Sequence, residues 1–457
     1  MMSPQSLSLA NWALKQFNDS KAKARRKLYA DYDAGRHQLN FATDKFLSTF
    51  GTTFQALSEN LCPLVIDSLN DTLQIEGFVP TKVSGKRAIA GIRSDLDEIW
   101  RANRMQRRAG EIHRDALLFE ESFAIVWPDR EDPRLPIIYP NVAGSVVARF
   151  HPTKLGMCIE GAKWWIEAGK IRLTLYFTDR IEKYVSTSAQ TWLPASAIGF
   201  RPFYEPDDSE PWPLPNPFGK VPIFRFVNDP GVDGAGKGEL RDVIPLQNGL
   251  NKSLCDMMVA AEFEAFAQRW ATGLEVQKDK NQNPINPFRS GPGNIWTSNK
   301  ADAKFGEFSR ADLAKFIEVQ NGWRGSIGRV SRTPLHQLVL DTSGDWPSGE
   351  ALKTACEPQT KKAIDRQLLF GSTWDDLARF CLEIRGRADV SVETQWGDAA
   401  PRAAEAESWQ TAISQQQAGV SIDQTLRERG YSDEQIESFK AAPILPKPTE
   451  KTTEDDE

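Results

Sequence analysis

The residues from Gly238 to Gln268, GELRDVIPLQNGLNKSLCDMMVAAEFEAFAQ, constrain the chain more than any other stretch. Apolar residues fall at Leu246, Leu250, Leu254, Met258, Ala261 and Ala265, the spacing of one helical face. Asp242 is placed to cap that helix, and Pro245 stands in its first turn, where a missing N–H is tolerated. A helix from Val243 to Trp270 would be a rod of about 42 Å at 1.5 Å per residue, longer than most single cores can cover. A Pro- and Gly-bearing excursion, NQNPINPFRSGPGN, follows, and helical spacing resumes at Ala311. Two long helices bracketing a compact insert predict a stalk with a tip.

A chain of 457 residues suffices for two or three domains. With 40% apolar and 26% charged residues, wholesale disorder is excluded. No apolar run approaches the length of a membrane span, and the N-terminus lacks the basic-then-apolar order of a secretion signal. Cys62, Cys158, Cys255, Cys356 and Cys381 are far apart and form no Cys-x-x-Cys pair, so buried free thiols in a reducing cytosol are expected rather than zinc ligands. A net charge of −6 gives no basic footprint of a sequence-specific DNA binder.

Taken in order, Ser3 to Leu28 reads as one helix with a basic end, KAKARRKLY, whose charges suit a solvated face better than a nucleic-acid contact. After a turn at Gly35, helical patterns cover Thr43 to Leu73, then Ile92 to Trp100 and Ile112 to Phe119, with a short strand at Ile75 to Val79. From Ser122 to Phe226 the pattern is β. Phe123 to Trp127, Ile137 to Tyr139 and Val146 to Phe150 are short runs closed by Pro or Asn. Met157 to Glu167 and Ile171 to Thr178 flank a hairpin turn at Ala168-Gly169. Trp164 and Trp165 must face opposite ways, which leaves one for the core. A Pro-rich connector leads from Tyr204 to Pro222, and Ile223 to Val227 closes the β region.

Short apolar runs between Gly293 and Phe308 suit a small β unit. Ala311 to Val330 is helical, with Leu313, Phe316, Ile317 and Gln320 on one side. Gly322, Gly325 and Gly328 inside it each cost about 1 kcal/mol against Ala, to be offset by close packing or expressed as a kink. A loop from Leu340 to Glu350 leads to another helix, Ala351 to Ile384, which Pro358 should kink or delay. Val390 to Thr394 reads as a last strand, and Arg402 to Gln417 with Ile422 to Phe439 as a small helical end. The acidic tail from Pro446 is expected to be disordered.

Catalytic signals are sparse. Gly231-Val-Asp-Gly-Ala-Gly236-Lys237 fits G-x-x-x-x-G-K between a strand and a helix, the setting of a phosphate loop. Gly238 stands where a Ser or Thr should hold magnesium, and no strand downstream ends in a suitable Asp. A flexible Gly-rich lead into a helix is the preferred reading. His37, His113, His151 and His336 form no metal or nucleophile motif, and the adjacent acids Glu120-Glu121 and Asp207-Asp208 read as solvated surface. No catalytic residue, metal site or cofactor is expected.

Several stretches in order resemble the portal proteins of tailed bacteriophages, in the siphophage-type branch. They are FATDKFLSTFGTTFQALSENLCPLVIDSLNDTLQIEGF, HRDALLFEESFAIVWPD, LTLYFTDRIEKY, GKGELRDVIPLQNGLNKSLCDMMVAAEFEAFAQRWATG and GDWPSGEALK. The resemblance implies an α+β portal fold, with an α/β wing over residues 1–242 and stem helices over 243–276 and 311–334. It further implies a small α/β clip at 277–310, a tunnel loop with its long helix within 335–390, a helical crown at 391–443 and a tail at 444–457. It implies a homo-dodecamer at one capsid vertex of the virion, made in the host cytoplasm and bound to no membrane. Double-stranded DNA would pass through without sequence specificity, driven by a separate terminase. Further partners would be a head-completion adaptor and the major capsid and scaffolding proteins.

On the same ground, Asp341, Thr342, Ser343, Gly344, Asp345, Trp346, Pro347, Ser348 and Gly349 would line the DNA channel, with Trp346 against the next subunit's loop or against DNA sugars. Lys278, Lys280, Ile285, Phe288, Arg289, Trp296 and Lys300 would dock terminase and adaptor, apolar anchors within a charged rim. Twelve chains of −6 would sum to about −72, a field that disfavours retention of a polyanion. A nucleotide-binding ATPase built on Gly231 to Lys237 is the competing reading, and a carbohydrate-binding protein using the fourteen Trp residues stands below it.

Overall fold

Asp19 divides the N-terminal helix that the sequence predicts as one. Its carboxylate accepts the Ala22 N–H at 2.7 Å, so α1 (Pro4–Phe17) ends and α2 (Ser20–Asp33) begins. The computed structural model describes residues 2–400 apart from 39–57, 82–85, 155, 205–209, 266–268, 274–279, 281–301, 308–311, 340–348 and 388–389, with short pieces between 413 and 437. The chain divides into two units, Met1–Ala400 and Pro401–Glu457. The basic run on α2 is partly committed within the chain, Arg25 pairing with Glu120 and Lys27 with Asp31.

Next come α3 (Cys62–Asn70), β1 (Ile75–Pro80), α4 (Lys86–Ala102) and α5 (Met105–Phe119). Of the helix expected over Thr43 to Leu73, residues 43–57 lie outside the described residues, and the described part is helical only from Cys62. The β region holds β2 (Glu121–Pro128), β3 (Pro136–Asn141), β4 (Val146–Phe150), β5 (Cys158–Glu167), β6 (Lys170–Tyr176), β7 (Arg180–Ser186), β8 (Phe200–Pro202), β9 (Leu214–Pro215) and β10 (Ile223–Val227). They form two antiparallel sheets, one in the order β10-β2-β3, the other β4-β5-β6-β7-β8 with β9 on β7. Ala168 and Gly169 both take positive φ, 48° and 70°, as the two-residue turn between β5 and β6 requires.

Alternation along these strands decides what packs where. Trp164 turns toward α1 and meets Phe17, ring centroids 6.2 Å apart, whereas Trp165 faces out at 37% exposure beneath Lys163. Leu9, Ala13, Leu14 and Phe17 of α1 cover Ala162, Leu173 and Leu175 on one face of the larger sheet. Phe123, Ile125, Tyr176, Ile181 and Ile223 fill the space between the two sheets.

The second half begins with α6 (Ile244–Ala265), then β11 (Arg269–Thr272) paired antiparallel with β12 (Lys304–Glu307), and α7 (Leu313–Ser331). The helix expected to reach Trp270 is described as far as Ala265, and Arg269 to Thr272 is instead a strand, recruited by Lys304 to Glu307. A short α8 (Leu335–Leu338) precedes α9 (Gly349–Ile384), whose 36 residues run through Pro358. The start of α9 is therefore not delayed by the proline. Strand β13 (Val392–Trp396) returns to pair with β1. The second unit contributes α10 (Ile422–Glu428) to the description.

The main core is built on α9. Trp374 is fully buried, and its indole N–H donates to His113 Nε2 at 2.8 Å. Phe226, Phe370 and Trp396 surround the same imidazole, and burial pushes His113 down to about 3, so it stays neutral as a hydrogen-bond acceptor. All five cysteines are free and buried.

Two residues on, burial pushes the Asp115 carboxyl up to about 6, against the opposing pull of Arg114 and of the Ala143 backbone. The folded value exceeds the ordinary 3.8, so the folded state holds an extra proton between those pH values. Its charged form costs stability above pH about 6, and that cost vanishes below pH about 4. Asp115→Asn is therefore expected to raise the unfolding midpoint at pH 7.5 and to match the parent chain near pH 3.5. The gain can reach about 1.4 kcal/mol per pH unit between the two values. Equal midpoints at pH 7.5 in thermal melts would contradict this.

Candidate functional site

Helices α6 and α7 form an antiparallel pair whose burial is concentrated at one end. In α6, Ile244, Gln247, Asn248, Leu250, Asn251 and Cys255 are buried, whereas Met258 is 43% exposed. In α7 the buried residues are Gln320, Ile327, Gly328 and Ser331; of the face expected to pack, Gln320 is buried, Ile317 is exposed, and Leu313 and Phe316 lie between. The pair is rooted where α6 begins and α7 ends, and the β11–β12 ladder stands at its other end. Gly249 allows the crossing, since a Cβ there would lie 2.9 Å from the Trp323 ring. Gly328 is likewise pressed by Leu335 and Leu338, but Gly322 and Gly325 meet nothing within 4 Å, so close packing explains one of the three glycines.

The root of α6 is polar as well as buried. Gln247 donates to the Glu59 carbonyl at 2.7 Å and accepts the Leu61 N–H at 3.0 Å. Tyr32 donates its hydroxyl to Asn248 Oδ1 at 2.6 Å, and Asn251 Oδ1 accepts the Glu59 N–H at 3.1 Å while its amide meets His37. Arg324 of α7 then closes on both oxygens of Glu59, at 3.0 and 2.6 Å. One segment, residues 59–61, thus holds both helices, through a bidentate ion pair and satisfied amides. Sequence reading missed this set, because Gln247, Asn248 and Asn251 interrupt the apolar run without forming a motif.

A second buried cluster lies beside it. Glu239, shortly before α6, receives Lys362 and Arg366 of α9, and Asn228 joins them. A cleft of 220 Å³ opens there, lined by Asp229, Lys237, Arg241, Asp242, Arg332 and Asp365 among others.

The Gly231 to Lys237 stretch lies on the rim of that cleft and does not cradle an anion. Gly234 N–H is spent on the Gly231 carbonyl, Gly231 N–H on Ala235 and Lys237 N–H on Asn228. The Lys237 ammonium sits 3.5 Å from Asp229, and α6 starts only at Ile244. Gly236 is required by close approach, because a Cβ would fall 2.2 Å from the Glu120 carbonyl oxygen. Among the described residues no group of three or more His, Cys, Asp and Glu side chains could hold a metal ion, and no helix is long and apolar enough to cross a membrane.

The channel residues expected from Asp341 to Ser348 lie outside the described residues, and Gly349 is the first residue of α9. Of the docking set, Lys280 is exposed in a turn; Lys278, Ile285, Phe288, Arg289, Trp296 and Lys300 lie outside the described residues. The loop geometry predicts no magnesium-dependent ATP turnover in a phosphate-release assay. A nucleotide affinity that Lys237→Ala abolishes would overturn this.

Residues 64–442 match the family model of the phage portal protein, SPP1 Gp6-like. The portal protein of Mycobacterium phage L5 is 23% identical over 382 residues, covering 78% of this chain and 76% of that protein. The portal protein of Mycobacterium phage D29 is also 23% identical, over 383 residues, with the same shares covered. Among solved structures, a chain in the neck of an empty GTA particle aligns with a TM-score of 0.47 at 12% identity, over 89% of this chain and 95% of that one. A chain of the native gene transfer agent virion gives 0.44 at 11%, over 92% and 99%. The family match spans most of the sequence, so the chain belongs to the SPP1 Gp6-like phage portal proteins, and its role is that of a portal connector.

Proposed function

We propose that twelve copies of this chain form a ring at one capsid vertex, through which double-stranded DNA enters and leaves without sequence readout. In this reading the two sheets and their helices are the wing, and α6 with α7 is the stem. Residues 277–310 are the clip at its tip, 341–349 the tunnel loop, α9 the long helix behind it and 391–443 a modest crown. The observation that carries the reading is the α6–α7 pair itself. Two helices rooted in polar contacts at one end and exposed toward the other are what a projecting stem requires. Catalysis is assigned to a separate terminase, and the chain's own part is mechanical and electrostatic.

Charge is consistent with passage. A ring of net negative subunits holds a polyanion weakly, and Asp341 and Asp345 would add rings of like charge at the narrowest point. Major capsid and scaffolding proteins would contact the outside, and terminase and then the adaptor would dock at the clip.

Two outcomes are expected. Electron micrographs of the purified chain should show rings with a central channel, and deleting Ser343 to Ser348 should preserve them while impairing stable DNA filling of heads. Normal packaging and retention of full-length DNA by that variant would remove the loop from the channel. Charge reversal at Lys278 and Lys280 should leave rings intact and weaken pull-down of terminase and adaptor, by roughly tenfold if the two cations act in a desolvated rim. Unchanged binding of both partners would remove the docking assignment.

A further inference from the structure

Two rings beside α2 meet the root of α6. The Tyr32 hydroxyl donates to Asn248, and His37, stacked on Tyr32 with ring centroids 5.0 Å apart, sits between Asn60 and Asn251. Both of these amides are oriented by backbone groups, not by the histidine. Asn60 Nδ2 donates to the Asp33 carbonyl at 3.2 Å, and its Oδ1 accepts the Cys62 N–H at 3.1 Å. The Asn60 oxygen is thus the atom turned to the imidazole. Asn251 Oδ1 accepts the Glu59 N–H at 3.1 Å, which turns the Asn251 NH2 to the other ring nitrogen. An oxygen on one side asks for a ring donor, and an NH2 on the other asks for a ring acceptor. His37 is thereby fixed as the neutral tautomer. Nε2–H donates to Asn60 at 3.1 Å, and the Nδ1 lone pair accepts from Asn251.

A second proton on this ring can only go to Nδ1, where it would face the Asn251 NH2. That amide cannot turn over without setting its N–H groups against the Glu59 N–H. Burial holds His37 below its ordinary 6.5, against Asn60 and the Tyr32 carbonyl, which both favour the charged ring. Asn60 already receives Nε2–H, so the Tyr32 carbonyl is the acceptor that a proton on Nδ1 would gain. The carboxylates on the surrounding elements are held by other cations. Asp31 pairs with Lys27 and Arg36, Asp33 with Arg114, Glu59 with Arg324 of α7, and Asp256 with Lys252 of α6. Tyr32 and Cys62 are pushed upward by burial and stay neutral.

We propose that His37 is a proton-operated switch between the end of α2 and the root of α6. Neutral, it accepts from Asn251; charged, it turns Nδ1–H to the Tyr32 carbonyl and gives Asn251 up. The folded ring resists the proton more than an exposed ring does. The contact's contribution is therefore complete above pH about 6.5 and is lost as the pH falls below it. On the reading of α6 and α7 as a stem, on which this consequence rests, acid withdraws one of the contacts that set the stem's direction.

The chain has 4 histidines, so NMR of the full chain labelled at histidine ring nitrogens and carbons reads few signals, and His37→Asn identifies the one in question. The nitrogen shifts should report the proton on Nε2 and a titration midpoint below 6.5. Asn251→Asp sets a carboxylate opposite Nδ1 and should raise that midpoint by about one pH unit or more, because the charged ring then gains an acceptor. A proton on Nδ1 at neutral pH, or a midpoint that Asn251→Asp leaves in place, would overturn the switch. Thermal melts give a second reading that does not need the Asn251 variant to fold. The amide oxygen of His37→Asn can still accept from Asn251 but takes no proton, so its unfolding midpoint should fall less than the parent's between pH 7 and pH 5. His113 is present in both proteins and cancels in the comparison. Equal falls would overturn the proposal. Both readings concern the ring itself, so their failure is distinguishable from a failure of the stem and channel assignment.

Discussion

A buried polar group must find a partner, and the root of α6 meets that requirement at three positions within five residues. Gln247, Asn248 and Asn251 are buried where an ordinary amphipathic helix would carry aliphatic side chains. Left unpaired, each would cost on the order of 1–3 kcal/mol. Paired with Glu59, Leu61, Tyr32 and His37, they admit one rotation of the helix and one depth. Leu246, Leu250 and Leu254 alone would bury the face but tolerate sliding, because apolar contact is non-directional. The direction in which α6 leaves the core is thus set by hydrogen-bond geometry, and α7 inherits it through Arg324 and Glu59.

The same division of labour recurs elsewhere. Apolar packing holds the parts that need only be stable: α1 on the larger sheet, the fill between the sheets, and the aromatic cluster about Trp374. Directional polar contacts appear where helices leave or cross that mass. His113 belongs to both classes. Its burial excludes the proton, and its neutral nitrogen is what the Trp374 indole needs.

Much of this architecture was legible from local pattern. The helix following Asp242, the Ala168-Gly169 turn, the opposed tryptophans and the long helix through Trp374 all follow from spacing and turn chemistry within a few residues. The failures are instructive in the same terms. Asp19 could have been read as a cap, since Asn18-Asp19-Ser20 is a strong helix-start signal, but the continuous positive run hid it. The strand at Arg269 to Thr272 depends on Lys304 to Glu307, and the β1 partner is Val392 to Trp396. No local period reports a pairing that distant. The polar root was invisible for a related reason. Its members come from α2, the segments around His37 and Glu59, α6 and α7, and they become a set only on folding.

Charge closes the argument about what such a chain can offer DNA. Its 56 Lys and Arg residues would make a strong phosphate-binding surface if they were free and clustered. Many are committed instead. Arg114 is held by Asp33 and Asp67, Arg385 by Asp95 and Glu98, Arg25 by Glu120, and Lys362 and Arg366 share Glu239. A guanidinium already forked onto a carboxylate must give up that partner before it can grip a phosphate. Pairing takes cations and anions in equal numbers, so the excess of six acids stands while fewer cations remain free. A protein built this way offers a phosphate backbone fewer free cations than its 56 Lys and Arg residues suggest.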